Sequence, residues 1–217
     1  GTGNEGAGVV EAVGPGVTSL KAGDRVAYTG GTPGAYAEAR LYPADRLVKV
    51  PEGLSDELAA SIMLKGMTTW YLIHRTYKVQ PGDTVLFHAA AGGVGQIAVQ
   101  WLKHLGATVI GTVGSDAKAK IVKALGADHV INYSTENFTA RVKEITGGKG
   151  VPVVYDSIGK DTFPQSLDCL SLRGMFVSFG NSSGPVAAFN LGLLAQKGSL
   201  FATRPTLFSY ANTRAAL

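Results

Sequence analysis

The chain has a single cysteine, Cys169, in 217 residues. One thiol closes no internal disulfide and builds no metal cage, which excludes disulfide-stapled scaffolds and cysteine-rich zinc folds and fits a reducing compartment. No apolar run approaches the roughly 18 residues of a membrane-spanning helix, and Gly1 does not open a signal peptide. Charge lacks pattern as well. The 20 Lys and Arg against 16 Asp and Glu are scattered, with no basic block or interleaved aromatic stripe of the kind that tracks nucleic acid. His74, His88, His104 and His129 stand in no spacing relation to one another or to Cys169, and there is neither a Gly-x-Ser-x-Gly elbow nor a His-Glu-x-x-His pair. Hydrolytic and metal-dependent chemistry therefore have no support. The expectation is a cytoplasmic protein with no metal, no membrane and no nucleic-acid partner. His88 reads as a satisfied core residue, and Cys169, beside Leu167 and Leu170, as a small buried hydrophobe.

What is present is a globular composition, 45% hydrophobic and 17% charged, with 29 glycines that cluster at turns. Residues 1–51 read as short strands at 8–13 and 24–28 with turns at 14–16 and 30–34. This β-rich piece opens on a strand with no partner before it, so the domain is expected to be incomplete at that side. After Pro51, Ser55 is placed to cap a helix holding Leu58, Ala59, Ile62 and Met63, and a second helix is expected over 68–77, with the domain boundary near Gly66. From Thr84 onward, strand-like runs at 85–87, 109–111, 153–155 and 176–179 alternate with helical segments. One helix sets Ile97, Ala98, Trp101, Leu102 and Leu105 on a face, and another sets Ile121, Val122 and Leu125. Alternation of this kind predicts an α/β chain, a Rossmann-type doubly wound parallel sheet preceded by the β-rich fragment.

The run Val85-Leu86-Phe87-His88-Ala89-Ala90-Ala91-Gly92-Gly93-Val94-Gly95 is a dinucleotide fingerprint with Ala90 in the first glycine slot. A strand must turn sharply into a helix whose free N–H groups face a pyrophosphate. Gly92 lets backbone approach the phosphates, and Gly95 lets the helix pack close to the strand. At the end of the next strand, where NAD sites place a carboxylate for the ribose hydroxyls, stands Val113, with nothing acidic before Asp116. Gly114, Ser115 and Lys118 follow instead. A solvated helix lysine is the plainer reading of Lys118, but the vanished carboxylate favours a 2′-phosphate, and hence NADPH as the cofactor. Leu200, Phe201 and Ala202 make an apolar strand at the end of the sheet. A homodimer is expected to form by edge pairing over Ser199 to Thr203.

The markers Gly6-Ala7-Gly8-Val9-Val10, Gly23-Asp24-Arg25-Val26, Leu64-Lys65-Gly66-Met67-Thr68, the loop from His88 to Gly95, Val154-Tyr155-Asp156-Ser157-Ile158-Gly159, the run from Val177 to Gly184 and Thr203-Arg204-Pro205 run over nearly the whole chain. In them the sequence resembles the quinone oxidoreductases, the zeta-crystallin-like, zinc-independent branch of the medium-chain dehydrogenases and reductases. The resemblance implies a partial GroES-like catalytic domain over 1–66, an NADPH-binding Rossmann domain over 67–205, and the start of a return to the catalytic domain over 206–217. Family members have further strands before the position of Gly1 and continue after that of Leu217. Thr68 and the loop Phe179, Gly180, Asn181 would approach the nicotinamide; Gly92, Gly93 and Val94 the pyrophosphate; Gly114, Ser115, Lys118 and Tyr133 the adenosine phosphate. Ser157 and Gly159 would line the cleft. The zinc enzymes of the superfamily carry a Gly-His-Glu at the first marker. They also insert a four-cysteine lobe after Gly-Asp-Arg-Val; here Asn4 precedes Glu5, Lys65 falls near a third ligand position, and only a short turn joins Val26 to Tyr36, so neither zinc site can be built.

The implied reaction is hydride or electron transfer from NADPH to a quinone or another electron-poor small molecule, with no residue compelled to act as general acid or base. Two alternatives stand beside it: an enoyl or alkenal reductase, and a non-catalytic, crystallin-like nucleotide- or RNA-binding protein.

Overall fold

A computed structural model describes residues 2–214, and the chain divides into two units, Gly1–Thr68 with Leu207–Leu217, and Thr69–Thr206. Of the expected ranges 1–66 and 206–217, residue 1 and residues 215–217 lie outside the described part.

In the first unit, β1 (Glu5–Val9), β2 (Arg25–Thr29) and β3 (Val48–Lys49) form an antiparallel sheet in chain order. β1 starts and ends earlier than the strand expected over 8–13. The reason is its partner: β2 pairs from Glu5↔Thr29 to Val9↔Arg25, and past Arg25 only Val10 still bonds across, to Asp24 and Gly23. α1 (Asp56–Tyr71) begins as expected, the Leu58 N–H donating to Ser55 Oγ at 3.2 Å. The expected second helix is absent as a separate element. α1 runs straight through Gly66 and passes into a π-helical turn, Leu72–Thr76. One glycine in a helix interior costs only about 1 kcal/mol, too little to end a helix by itself.

The second unit contains β4 (Thr84–Phe87), α2 (Gly93–His104), β5 (Thr108–Val113), α3 (Asp116–Ala124), β6 (His129–Asn132), α4 (Phe138–Ile145), β7 (Val151–Asp156), α5 (Gln165–Asp168), β8 (Leu170–Ser178), α6 (Gly192–Gln196) and β9 (Phe201–Thr203). Its six strands are parallel in the order β6-β5-β4-β7-β8-β9. Numbered within the unit this is 3-2-1-4-5-6, the Rossmann order, as the alternation of strand and helix predicted.

One row of the ladder runs Ile110–Leu86–Val154–Phe176 across four strands, and Val142 of α4 and Leu167 of α5 join it in the buried core. Central strands of a parallel sheet are covered on both faces, which is why they read as unbroken Val, Ile and Leu runs. α2 is turned from its expected orientation. Its buried stripe is Gly95, Ala98, Val99 and Leu102, spaced i, i+3, i+4, i+7, while Ile97, Trp101 and Leu105 are only half-buried. Gly95 heads the buried stripe because the helix starts almost in contact with the Ala89 and Ala90 backbone. In α3 Val122 is buried, and Leu125 just after it is half-buried, but Ile121 is 45% exposed. Among the described residues β9 is an edge strand bonded only to β8, with Leu200 buried just before it and Phe201 57% exposed.

Candidate functional site

The strand order reverses at β4, which has β5 on one side and β7 on the other. In open α/β sheets ligands bind outside the carboxyl ends of the strands at such a switch point. Three loops of the second unit meet that description, those after β4, β5 and β7, and the loop after β8 is knitted to the third.

After β4 the chain passes His88, takes a left-handed turn at Ala89 (φ +52°) and enters α2 with Gly92 extended at its N-cap. No side chain caps α2 and no acid occupies its first turn. Its first N–H groups and positive dipole end are therefore left for an anion. Gly92 and Gly93 are exposed and Val94 half-buried. The close packing demanded of Gly95 is met: a Cβ there would stand 2.6 Å from the carbonyl oxygens of Ala89 and Ala90. Ala90 fills the first glycine slot without strain because Gly111 of the neighbouring strand makes room for its methyl, the two positions being so close that a Cβ on Gly111 would lie 2.9 Å from that of Ala90.

After β5, Val113 is buried and presents no acceptor. Tyr133 lies over Gly114 so tightly that a Cβ on Gly114 would be 2.7 Å from the phenol oxygen, and the Ser134 hydroxyl donates to Gly114 O at 3.0 Å. Ser115 caps α3, its Oγ accepting from the Lys118 N–H at 3.4 Å, which leaves its own O–H free to donate. Lys118 is exposed on the first turn. Asp116, the residue that would favour a bare ribose, has Oδ1 engaged by Asn132 Nδ2 at 2.8 Å. Gly114, Ser115, Lys118 and Tyr133 are thus brought to one edge of the sheet.

Below the loop after β7 lies Asp156, fully buried. Its Oδ1 accepts from the N–H groups of Ile158 (2.8 Å) and Gly159 (3.0 Å), and its Oδ2 from the hydroxyls of Thr162 (2.6 Å) and Ser166 (3.0 Å). This shapes the Ser157-Ile158-Gly159 turn. The loop after β8 closes onto it: Phe179 N–H donates to Asp156 O (2.8 Å), Ser182 N–H to Ser157 O (3.0 Å) and Ser183 N–H to Ile158 O (2.9 Å). Arg204 clamps the far side, donating to Ser178 O at 2.8 Å and to the Asn181 side-chain oxygen at 3.2 Å with that amide turned to satisfy both. The Phe179 ring packs on Phe87 at 5.7 Å yet stays half-buried, so both the core reading and the site reading of this residue have a physical basis. Beside Asn181 and Arg204 a cavity of about 370 Å³ is lined by Phe163, Phe176, Val186 and Phe189. Thr68 lies in α1 and belongs to the first unit.

His88 is a satisfied core residue, one position beyond the end of β4. Its Nδ1 is 2.8 Å from Thr112 Oγ1 and its Nε2 3.1 Å from Ser166 Oγ, with the Phe138 ring edge-on at 5.1 Å. Burial holds its pKa below the ordinary value, against an opposing pull from Asp156. The link from His88 through Ser166 to Asp156 was not legible in the sequence. Its members are dispersed along the chain, in segments whose only signal is apolar strand or short helix.

Residues 93–208 match the family described as zinc-binding dehydrogenase, and residues 1–52 the alcohol dehydrogenase GroES-like domain. Among similar proteins is a quinone oxidoreductase of Pseudomonas aeruginosa, 58% identical over 98% of this chain and 66% of the relative. Another is a 2-haloacrylate reductase of a Burkholderia species, 55% identical over 99% of this chain and 66% of the relative. The crystal structure of Escherichia coli quinone oxidoreductase complexed with NADPH superposes with a TM-score of 0.96 at 54% identity, over 99% of this chain and 66% of that one. The chain therefore spans just under two thirds of the length of the curated relatives it matches. The zinc in the family's description does not fit the residues present. Glu5 accepts from Lys65 Nζ and from the Leu64 N–H, each at 3.2 Å, so the carboxylate at that marker faces an ammonium. Among the described residues no three His, Cys, Asp or Glu stand together as a ligand set.

Proposed function

We propose, from the premise that the chain belongs to the quinone oxidoreductase branch of the medium-chain dehydrogenases and reductases, that it binds NADPH for the reduction of a quinone. The single observation that carries the cofactor choice is the edge after β5. There the slot for a ribose-binding carboxylate holds buried Val113, Asp116 is tied to Asn132, and Ser115 and Lys118 remain as phosphate donors. The fit is one of shape as well as charge, since Gly114 has no side chain under the Tyr133 ring. The bound dinucleotide supplies the hydride, and the protein's part is to hold, orient and shield it.

On this reading the α2 N-terminus at Gly92, Gly93 and Val94 takes the pyrophosphate, and Gly114, Ser115, Lys118 and Tyr133 take the adenosine phosphate. Ser157 and Gly159 line the cleft, and Thr68, Phe179, Gly180 and Asn181 serve the nicotinamide. Residues 1–66 and 206–217 then belong to the catalytic domain and 67–205 to the cofactor domain. The assembly is a cytoplasmic homodimer through the edge near Ser199 to Thr203. Its support is that β9 leaves one side unbonded among the described residues and exposes Phe201. Sedimentation of the chain as a dimer at micromolar concentration is expected, and a stable monomer would remove that element.

A second reading keeps the cofactor and changes the acceptor to an electron-poor alkene. The similarity to a 2-haloacrylate reductase favours it. Titration of NADPH and NADH into the chain, followed by turnover of a quinone and of an α,β-unsaturated acid on the same preparation, decides between them. NADPH binding with quinone turnover supports the first reading, turnover of the alkene alone the second, and preferential binding of NADH sinks both.

A further inference from the structure

The three loops that face the switch point each have a member of one buried hydrogen-bonded chain at their start or within two residues before it. His88 precedes the phosphate loop, Thr112 precedes Val113-Gly114-Ser115, and Asp156 precedes Ser157-Ile158-Gly159. Ser166, on α5, connects the second nitrogen of His88 to the carboxylate. All four side chains are fully buried, so every hydrogen in the chain must find a protein acceptor.

That accounting fixes the proton positions. Ser166 Oγ has two acceptors in reach, Asp156 Oδ2 at 3.0 Å and Thr162 O at 3.1 Å, and a proton spent on Thr162 would leave Oγ and Oδ2 facing each other as acceptors, so the Ser166 proton belongs on the carboxylate. Ser166 must then accept from His88, which puts the ring proton on Nε2 and leaves Nδ1 to accept from the Thr112 hydroxyl at 2.8 Å. The other neutral tautomer would spend the Ser166 proton on Nε2 and set two acceptor oxygens against each other at 3.0 Å. Donation therefore runs one way, from Thr112 to His88 to Ser166 to Asp156, and ends on the carboxylate that holds the Ile158 and Gly159 N–H groups.

We infer that His88 is a positioning residue for the dinucleotide: as the Nε2–H tautomer it ties the strands carrying the phosphate and adenosine loops to the Asp156 turn, so both halves of the site are set by one brace. The inference rests on the cofactor reading above. A side chain held in register by second-layer bonds presents its loop ready-formed, and losing them costs affinity for a ligand that spans both halves. A ligand confined to one half is spared.

The test uses four proteins, wild type, His88→Leu, His88→Gln and Ser166→Ala, and two probes, NADPH and adenosine 2′-monophosphate. His88→Leu and Ser166→Ala are expected to weaken NADPH about tenfold, the equivalent of one charge-assisted hydrogen bond, while the monophosphate stays within about threefold. A glutamine amide reaches the position of Nε2 and can donate to Ser166, so His88→Gln should bind NADPH within about threefold of wild type. Parallel losses for both probes in any folded variant, or unchanged NADPH affinity in Ser166→Ala, would overturn the inference. Nitrogen NMR of the wild-type imidazoles, with His88 assigned by its absence in His88→Gln, needs no variant to bind anything. A proton on Nε2 supports the brace and a proton on Nδ1 refutes it. If wild type binds no NADPH, the cofactor reading falls and the positioning role falls with it, an outcome distinct from a wild type that binds and variants that bind equally well.

Discussion

Gly66→Ala and Gly95→Ala are the same chemical change in two helices, one in the interior of α1 and one in the first turn of α2, and the structure predicts opposite signs for them. At Gly66, in α1, an added Cβ meets no heavy atom within 4 Å. Only helix propensity and the entropy of the unfolded chain act there, and alanine should gain about 1 kcal/mol. At Gly95 the same carbon would stand 2.6 Å from two carbonyl oxygens and 2.7 Å from the Ala90 carbonyl carbon. Ordinary contact is about 3.5 Å, so α2 would have to retreat by about 0.9 Å. The obstructing atoms are backbone and cannot swing aside, and their loop is pinned by the Ala90 N–H to Thr112 O bond at 3.0 Å. Overpacking of this kind costs about 1–3 kcal/mol, enough to cancel the propensity gain and leave a net loss of up to about 2 kcal/mol. Urea denaturation of the two variants measures both signs as shifts of midpoint at unchanged slope. The retreat also carries the first N–H groups of α2 away from the loop, so Gly95→Ala should weaken NADPH where Gly66→Ala leaves stability the only change. A Gly95→Ala protein as stable as wild type would show that the strand-to-helix packing has been misjudged.

Lys118→Ala should weaken NADPH about tenfold, the lower end of a charge-assisted contact because the side chain is exposed, and leave NADH nearly unchanged. Fluorescence titration of both cofactors checks it, and equal losses would displace the adenosine pocket. Burial lowers the His88 pKa from its ordinary 6.5, so the unfolded chain takes up a proton that the folded one refuses. Its contribution to stability is whole above that pH and is lost at about 1.4 kcal/mol per pH unit as pH falls toward the depressed folded value. The stability difference between wild type and His88→Gln, followed from pH 8 down to about 5, should therefore narrow on the acid side; a constant difference refutes this. Cys169 is buried, and that burial pushes its thiol up to about 12. An alkylating reagent at neutral pH should label it only after unfolding, and rapid native labelling would contradict the burial.

The parts of the fold that were legible in the sequence are those whose physics is local. Strands β4, β5 and β7 announce themselves as short apolar runs because both faces are covered, and the turn from β4 into α2 shows in its glycines because backbone must pass close to backbone. The rotation of α2 was not legible. Ile97 and Trp101 are large and apolar and share a face with Ala98 and Leu102, but the close approach at Gly95 turns the stripe of Gly95, Ala98, Val99 and Leu102 inward. The end of β1 was hidden for a related reason, since it is set by where β2 begins. Asp116 could be read as a hazard but not resolved, because its hydrogen-bond partner, Asn132, comes from another strand. The brace beneath the loops is the extreme case. His88, Thr112, Asp156 and Ser166 acquire a common meaning only when β4, β5 and β7 lie side by side.

The placement of β4 has a consequence for how the chain is made. It is the first strand of its sheet to leave the ribosome, yet it occupies the middle, pairing Val85 with Val109 on one flank and with Val153 on the other. The first pairing closes a short loop, while the second waits for a stretch containing three helices and two strands, so it forms late. Until β7 arrives, the most apolar strand of the domain is an open edge, and a nascent chain stalled before Val151 would expose a template for aggregation that the finished protein does not possess.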